Sequence, residues 1–141
     1  FVNPVQQGFA IVEEQPEVQL VKGASLDADT VIAMEGEYPA TNVLLFTGLR
    51  CFNSTQPYAD PERWKAVDPE GKWVDVVNRL GHVSLEISEE TSFETYNSDQ
   101  IYAWLTLEDL RKLGVDVLMT RKKYPNLTVI TENSDWTLYQ L

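Results

Sequence analysis

Cys51 and His82 are the only cysteine and the only histidine in the chain. A lone thiol forms no internal disulfide, and a lone imidazole excludes any metal site built on paired histidines. Cys51 stands in the apolar run Leu49-Arg50-Cys51-Phe52 and is expected to be a packed core thiol. Basic residues are scarce too. Eleven Lys and Arg stand against 22 Asp and Glu, and the resulting net charge of −11 argues against nucleic acid or an anionic membrane surface as a partner. No apolar run reaches the roughly 18 residues that span a bilayer, and Phe1 is neither an initiator methionine nor part of a signal peptide. The chain is therefore expected to be a piece of a longer polypeptide.

What is present reads as one soluble domain over residues 1–141, with 1–14 as a lead segment. That length suffices to bury about two-thirds of the surface of the unfolded chain. The lead holds a short apolar patch at Phe9–Val12, expected as an edge strand or docked arm. Pro16 at a first-turn position predicts a helix ending at Gly23, and the β-branched run Thr30–Met34 predicts a strand. A short helix over Val43–Thr47, a stop at Gly48 and a strand over Leu49–Phe52 follow.

Asp60-Pro61-Glu62 and Asp68-Pro69-Glu70 each carry a capping carboxylate, a proline at the first helical position and an acid at the positive end of the dipole. They predict tandem helices. In the second, Trp73, Val76, Val77 and Leu80 form one apolar face before Gly81 ends it, so Trp73 is expected to carry the fold and Trp64 to be dispensable to it. Val83–Ile87 alternates as a half-buried strand, and Ser92–Asn97 with Gln100–Leu105 predicts a hairpin around Asn97-Ser98-Asp99. Thr106, with Asp109 in the capping-box position, starts a helix over Leu107–Leu113 that Gly114 stops. A strand over Val115–Thr120 and a terminal hairpin, Leu127–Thr131 with Trp136–Leu141, close the chain. LLFTGLRCF and LRKLGVDVLM both read as short helix, glycine, apolar strand, a local convergence rather than a duplication.

The fold class is therefore α+β: a single domain with a mixed β-sheet covered by short helices and a C-terminal β-hairpin. No catalytic constellation stands out. His82 lacks a nearby serine in a nucleophile-elbow context, and the acids at helix starts serve as caps. The Asp27-Ala28-Asp29 and Glu132-Asn133-Ser134-Asp135 turns lack the ligand run of a calcium loop, so neither metal nor cofactor is expected. The better lead is a set of aromatic and planar polar residues close in sequence. Asn53, Tyr58, Trp64, Arg79 and His82 form the candidate binding surface, suited to holding a neutral sugar by stacking and planar hydrogen bonds.

VNPVQQG at the start, then LLFTGLRCFNSTQPYADPERWKAVDPEGKWVDVVNRLGHVSLEI, TSFE, DQI, LTLEDLRKLGVDVLMT and the terminal LYQL carry a likeness over nearly the whole chain. It resembles the C-terminal exterior domain of large multi-spanning bacterial membrane proteins, which are similar to membrane-embedded, lipid-linked-sugar glycosyltransferases. In that family the loop after the first glycine-strand unit reads "lN", "YP" and "W", and the second helix ends in "NRYAH". Asn53, Tyr58-Ala59, Trp64 and Asn78-Arg79-Leu80-Gly81-His82 occupy those positions, with departures at Ala59 and at Leu80-Gly81. The resemblance implies an extracytoplasmic domain tethered to the cell membrane, its partners being the transmembrane portion of the same polypeptide and an envelope glycan or lipid-linked sugar. The catalytic acid of such enzymes is expected on loops of the membrane part, so this domain is expected to shape or recognise and not to catalyse. The alternatives are a free secreted carbohydrate-binding module and a small acid-pair glycoside hydrolase.

Overall fold

Among the described residues, two mixed β-sheets stack around a shared core. The structure, a computed structural model, describes residues 14–37, 39–56 and 58–141; the strand expected at Phe9–Val12 lies outside them. In chain order the elements are α1 (Pro16–Gly23), β1 (Val31–Met34), a 3₁₀ helix (Ala40–Thr47), β2 (Arg50–Cys51), β3 (Thr55–Gln56), α2 (Pro61–Trp64), α3 (Val74–Val77), β4 (Gly81–Ile87), β5 (Ser92–Glu94), β6 (Gln100–Leu105), α4 (Leu107–Lys112), β7 (Val117–Thr120), β8 (Thr128–Glu132) and β9 (Thr137–Gln140). One sheet has the order β2-β1-β7-β9-β8 and the other β3-β4-β6-β5. The class is α+β, as expected, but the strands divide between two sheets instead of forming one. Face-to-face stacking gives each sheet a buried inner side.

Strand parity decides which core each residue joins. Ala33, Leu118 and Tyr139 of the five-stranded sheet meet Val83, Leu85, Phe93, Ile101, Ala103 and Leu105 of the four-stranded sheet. Their neighbours Ile32, Met34, Val117, Met119 and Leu138 point the other way, where Val21 of α1 and Leu44 of the 3₁₀ helix cover them. Cys51 packs on that second cluster, and burial pushes its thiol up to about 11, which keeps it protonated. The two sheets also touch through backbone: the Gly36 N–H donates to Leu85 O at 2.8 Å, and the Leu85 N–H returns to Gly36 O at 3.0 Å.

The two helix-glycine-strand units flank β1 on either side. β2 and β7 both run parallel to it, and each follows a glycine in the left-handed region, Gly48 at φ 78° and Gly114 at φ 80°. Only a residue without a Cβ takes that conformation cheaply, so the shared pattern reflects one solution to turning a helix back into a parallel strand. The α4 start is as expected: Thr106 accepts from the Asp109 N–H, and the Asp109 carboxylate accepts from the Thr106 N–H. β5 pairs with β6 antiparallel, and β8 with β9.

The tandem-helix segment departs from expectation. Asp60 caps α2 by accepting from the Arg63 N–H, but the second helix covers only Val74–Val77. The Asp68 carboxylate instead accepts from the Lys72 and Trp73 amides, both at 2.9 Å, which holds residues 68–73 in a turn. Gly81 does not end a helix; it opens β4. A Cβ there would lie 2.5 Å from the Asp99 carbonyl oxygen, so a close backbone approach is what this glycine permits.

Candidate functional site

Alternation along β4 and β6 places one set of side chains in the core and leaves the other set on the opposite face. Ile101, Ala103 and Leu105 are buried, which puts Gln100, Tyr102 and Trp104 on the outer face of the four-stranded sheet. Register then builds three rows. Thr55, His82 and Gln100 form the first, Ser84, Tyr102 and Glu94 the second, and Glu86, Trp104 and Ser92 the third. Among the described residues, neither hydrophobic cluster takes in Tyr96, Tyr102 or Trp104.

The three aromatic rings form a continuous row. Tyr96 meets Tyr102 edge-on with centroids 5.1 Å apart, and Tyr102 lies nearly parallel to Trp104, at 26° and 6.2 Å. Their tips are held by neighbours: the Tyr102 hydroxyl donates to Gln100 Oε1 at 2.6 Å, and the Tyr96 hydroxyl donates to Glu94. That bond to the Glu94 carboxylate raises the Tyr96 phenol above its ordinary value. Beside the row, Glu37, Ser84, Glu86, Tyr102 and Trp104 line a small surface cleft that opens to solvent.

One end of the cleft is anchored on a buried carboxylate. Glu35 accepts from Thr120 Oγ1 at 2.6 Å, Lys122 Nζ at 2.8 Å, the Tyr124 hydroxyl at 2.9 Å and the Ile87 N–H at 3.0 Å. Burial by itself would raise this carboxyl; the bonds from Lys122, Thr120, Ile87 and Tyr124 outweigh it and hold the pKa below the ordinary value. Tyr124 is pushed up, by burial first and then by its bond to Glu35. Lys122 bridges onward to Glu86 on the cleft wall. The network ties the ends of β1, β4 and β7 together, and through Glu86 it positions that wall.

Of the five residues expected to form a binding surface, the structure brings only His82 onto this face, where its Nδ1 lies 2.9 Å from Thr55 Oγ1. Tyr58 is exposed, in the loop after β3. Asn53 and Trp64 belong to no surface. The Asn53 side chain is buried and bonds the backbone of Met34, accepting from its N–H at 2.9 Å and donating to its carbonyl at 2.6 Å. Trp64 is 1 % exposed and sits edge-on to both Phe52 and Phe93 in the shared core. Trp73, expected to carry the fold, is only half-buried against Phe93. Arg79 spends its guanidinium on the carbonyls of Val76, Asp75 and Asn97 and on Thr95. Tyr96, Tyr102 and Trp104 went unread, although QIYAWL carried the signal: aromatics at alternate positions against a small inward Ala103.

A family model for a domain of unknown function, DUF7654, matches residues 11–141. The chain belongs to that family. No curated protein and no solved structure matches it. The outer sheet face is thus a feature of a DUF7654 domain. Among the described residues no group of three His, Cys, Asp or Glu side chains is gathered in the manner of metal ligands, and no helix is long and apolar enough to cross a membrane.

Proposed function

We propose that this DUF7654 domain is the exterior, non-catalytic part of a membrane protein of cell-envelope polysaccharide assembly, and that it holds glycan. The observation that carries the glycan-holding role is the row Tyr96-Tyr102-Trp104 beside a cleft walled by Glu37, Ser84 and Glu86. Aromatic faces take the apolar face of a sugar ring, while carboxylates, hydroxyls and amides accept and donate to its rim. The membrane setting rests on the likeness of nearly the whole chain to exterior domains of glycosyltransferase-like membrane proteins. Glu35 supports a holding role over an acid-pair hydrolase: four donors stabilise its charged form, the reverse of what a general acid needs.

Titration of the 141-residue chain with envelope polysaccharide or lipid-linked precursor, read by amide shifts, tests the proposal. Shifts should gather on β4 and β6 around Ser84, Tyr102 and Trp104, and W104A should abolish them while the fold persists. Shifts confined to the β8-β9 hairpin, or none with any envelope glycan, would refute the glycan-holding role. A free secreted module would use the same face; a run of hydrophobic helices encoded upstream of Phe1 separates the two settings.

A further inference from the structure

Three of the four tryptophans already hold a cation. Arg63 lies 4.9 Å from the Trp64 ring, Lys72 Nζ lies 4.5 Å from that of Trp73, and Arg121 lies 4.6 Å from that of Trp136. Trp104 differs, for among the described residues no Lys or Arg stands over its ring. Its surroundings explain why: β3, β4, β5 and β6 contain no lysine or arginine at all. The cleft that Trp104 lines is instead walled by the carboxylates of Glu37 and Glu86, with Glu94 further along the row. Lys122 is the basic group at its end, and its ammonium is already shared between Glu35 and Glu86.

An electron-rich ring face beside carboxylates is complementary to a cation supplied by a ligand. We propose that the cleft selects a positively charged amino-sugar residue, with its ammonium on Glu37 and Glu86 and its ring against Trp104 and Tyr102. The proposal rests on the glycan-holding role above and adds the ligand's charge. The domain's net charge of −11 draws a polycation toward the cleft while repelling anionic glycans.

The test compares three tetrasaccharides on the 141-residue chain by amide shifts and calorimetry in low salt: fully deacetylated chitotetraose, its N-acetylated form and cellotetraose. The deacetylated form should bind about tenfold tighter than either neutral one, as one charge-assisted contact provides. E37Q should erase most of that preference by weakening the deacetylated form more than either neutral one, W104A should abolish binding of all three, and added salt should shrink the preference. Equal binding of the three would overturn the charge preference and leave the glycan-holding role standing. No binding of any would overturn the charge preference, and the glycan-holding role falls with it only if envelope polysaccharide and lipid-linked precursor also leave the amide spectrum unshifted. Tetralysine bound as tightly as the deacetylated sugar would overturn the proposal as well, since a mere acidic surface would then suffice.

Discussion

Two groups of aromatic rings lie on opposite sides of the four-stranded sheet, and they have opposite fates. On the inner side Trp64 meets Phe52 and Phe93 edge to face, Trp73 lies tilted against Phe93, and Arg63 lies over the rings of Phe52 and Trp64 while donating to the Phe52 carbonyl. Burial pulls that guanidinium down to about 10, a measure of how far it has been drawn from water. On the outer side Tyr96, Tyr102 and Trp104 make a row of similar spacing, with Tyr96 at 68 % exposure. Residue type does not separate the two groups. Position relative to the second sheet does: the inner rings join the cluster that holds Ala33, Leu118 and Tyr139, whereas the outer row belongs to neither hydrophobic cluster.

Truncation should break the comparison most visibly at Trp64. W64A is expected to cost about 3 to 5 kcal/mol, enough to unfold a marginal domain, and urea midpoints against the parent chain measure it. A loss no greater than that of W73A would mean that the inner cluster does not depend on its most buried ring. N53A comes next: it strips Met34 of partners for a buried N–H and a carbonyl, at about 1 to 3 kcal/mol for each group left bare. N53D, which keeps the acceptor but sets a buried carboxylate oxygen against the Met34 carbonyl, should cost at least as much as N53A at neutral pH.

Glu35 sharpens the comparison at the seam between the sheets. Because its folded pKa lies below the ordinary 4.5, its charged form stabilises the fold above that value, and the contribution is lost as pH falls through the lower folded value. E35Q should cost about 1.5 to 3 kcal/mol at neutral pH, the worth of hydrogen bonds to a charged group, and should flatten the acid limb of a stability profile taken below pH 4.5. An unchanged acid limb would assign acid sensitivity to other carboxylates. The smallest effect belongs to the outer row: Y96A should change stability by no more than about 0.5 kcal/mol, since the ring is largely exposed. A larger loss would show the row to be part of the core's support rather than a surface for a partner.

Much of the local structure was legible. The capping box of Thr106 and Asp109, the proline-started helix at Pro61, the strand Val31–Met34 and both antiparallel pairings at β5-β6 and β8-β9 follow from signals within a few residues. The failures lie where a local signal had two uses. Asp68-Pro69-Glu70 can start a helix, but the Asp68 carboxylate satisfies two amides of a turn instead, and Trp64 on α2 takes the buried place that helical spacing assigned to Trp73. Asn53 looked like a loop amide available to a sugar. It faces inward because β1 ends beside it with a peptide that needs both a donor and an acceptor.

The sequence by itself determined the α+β class, the turn points and the parity of β4 and β6, because caps, glycines and period-2 alternation act over a few residues. It also determined that the strands of the four-stranded sheet carry no lysine or arginine. Only the tertiary structure decided that the strands split into two sheets, that Glu35 gathers donors from two distant segments, and that one aromatic row is enclosed while the other faces outward. Alternation marks two faces without saying which one a second sheet will cover. That choice depends on contacts such as Ala33 and Leu118 against Leu85 and Ala103, made between residues far apart in the chain and selected by how much apolar surface each packing removes from water.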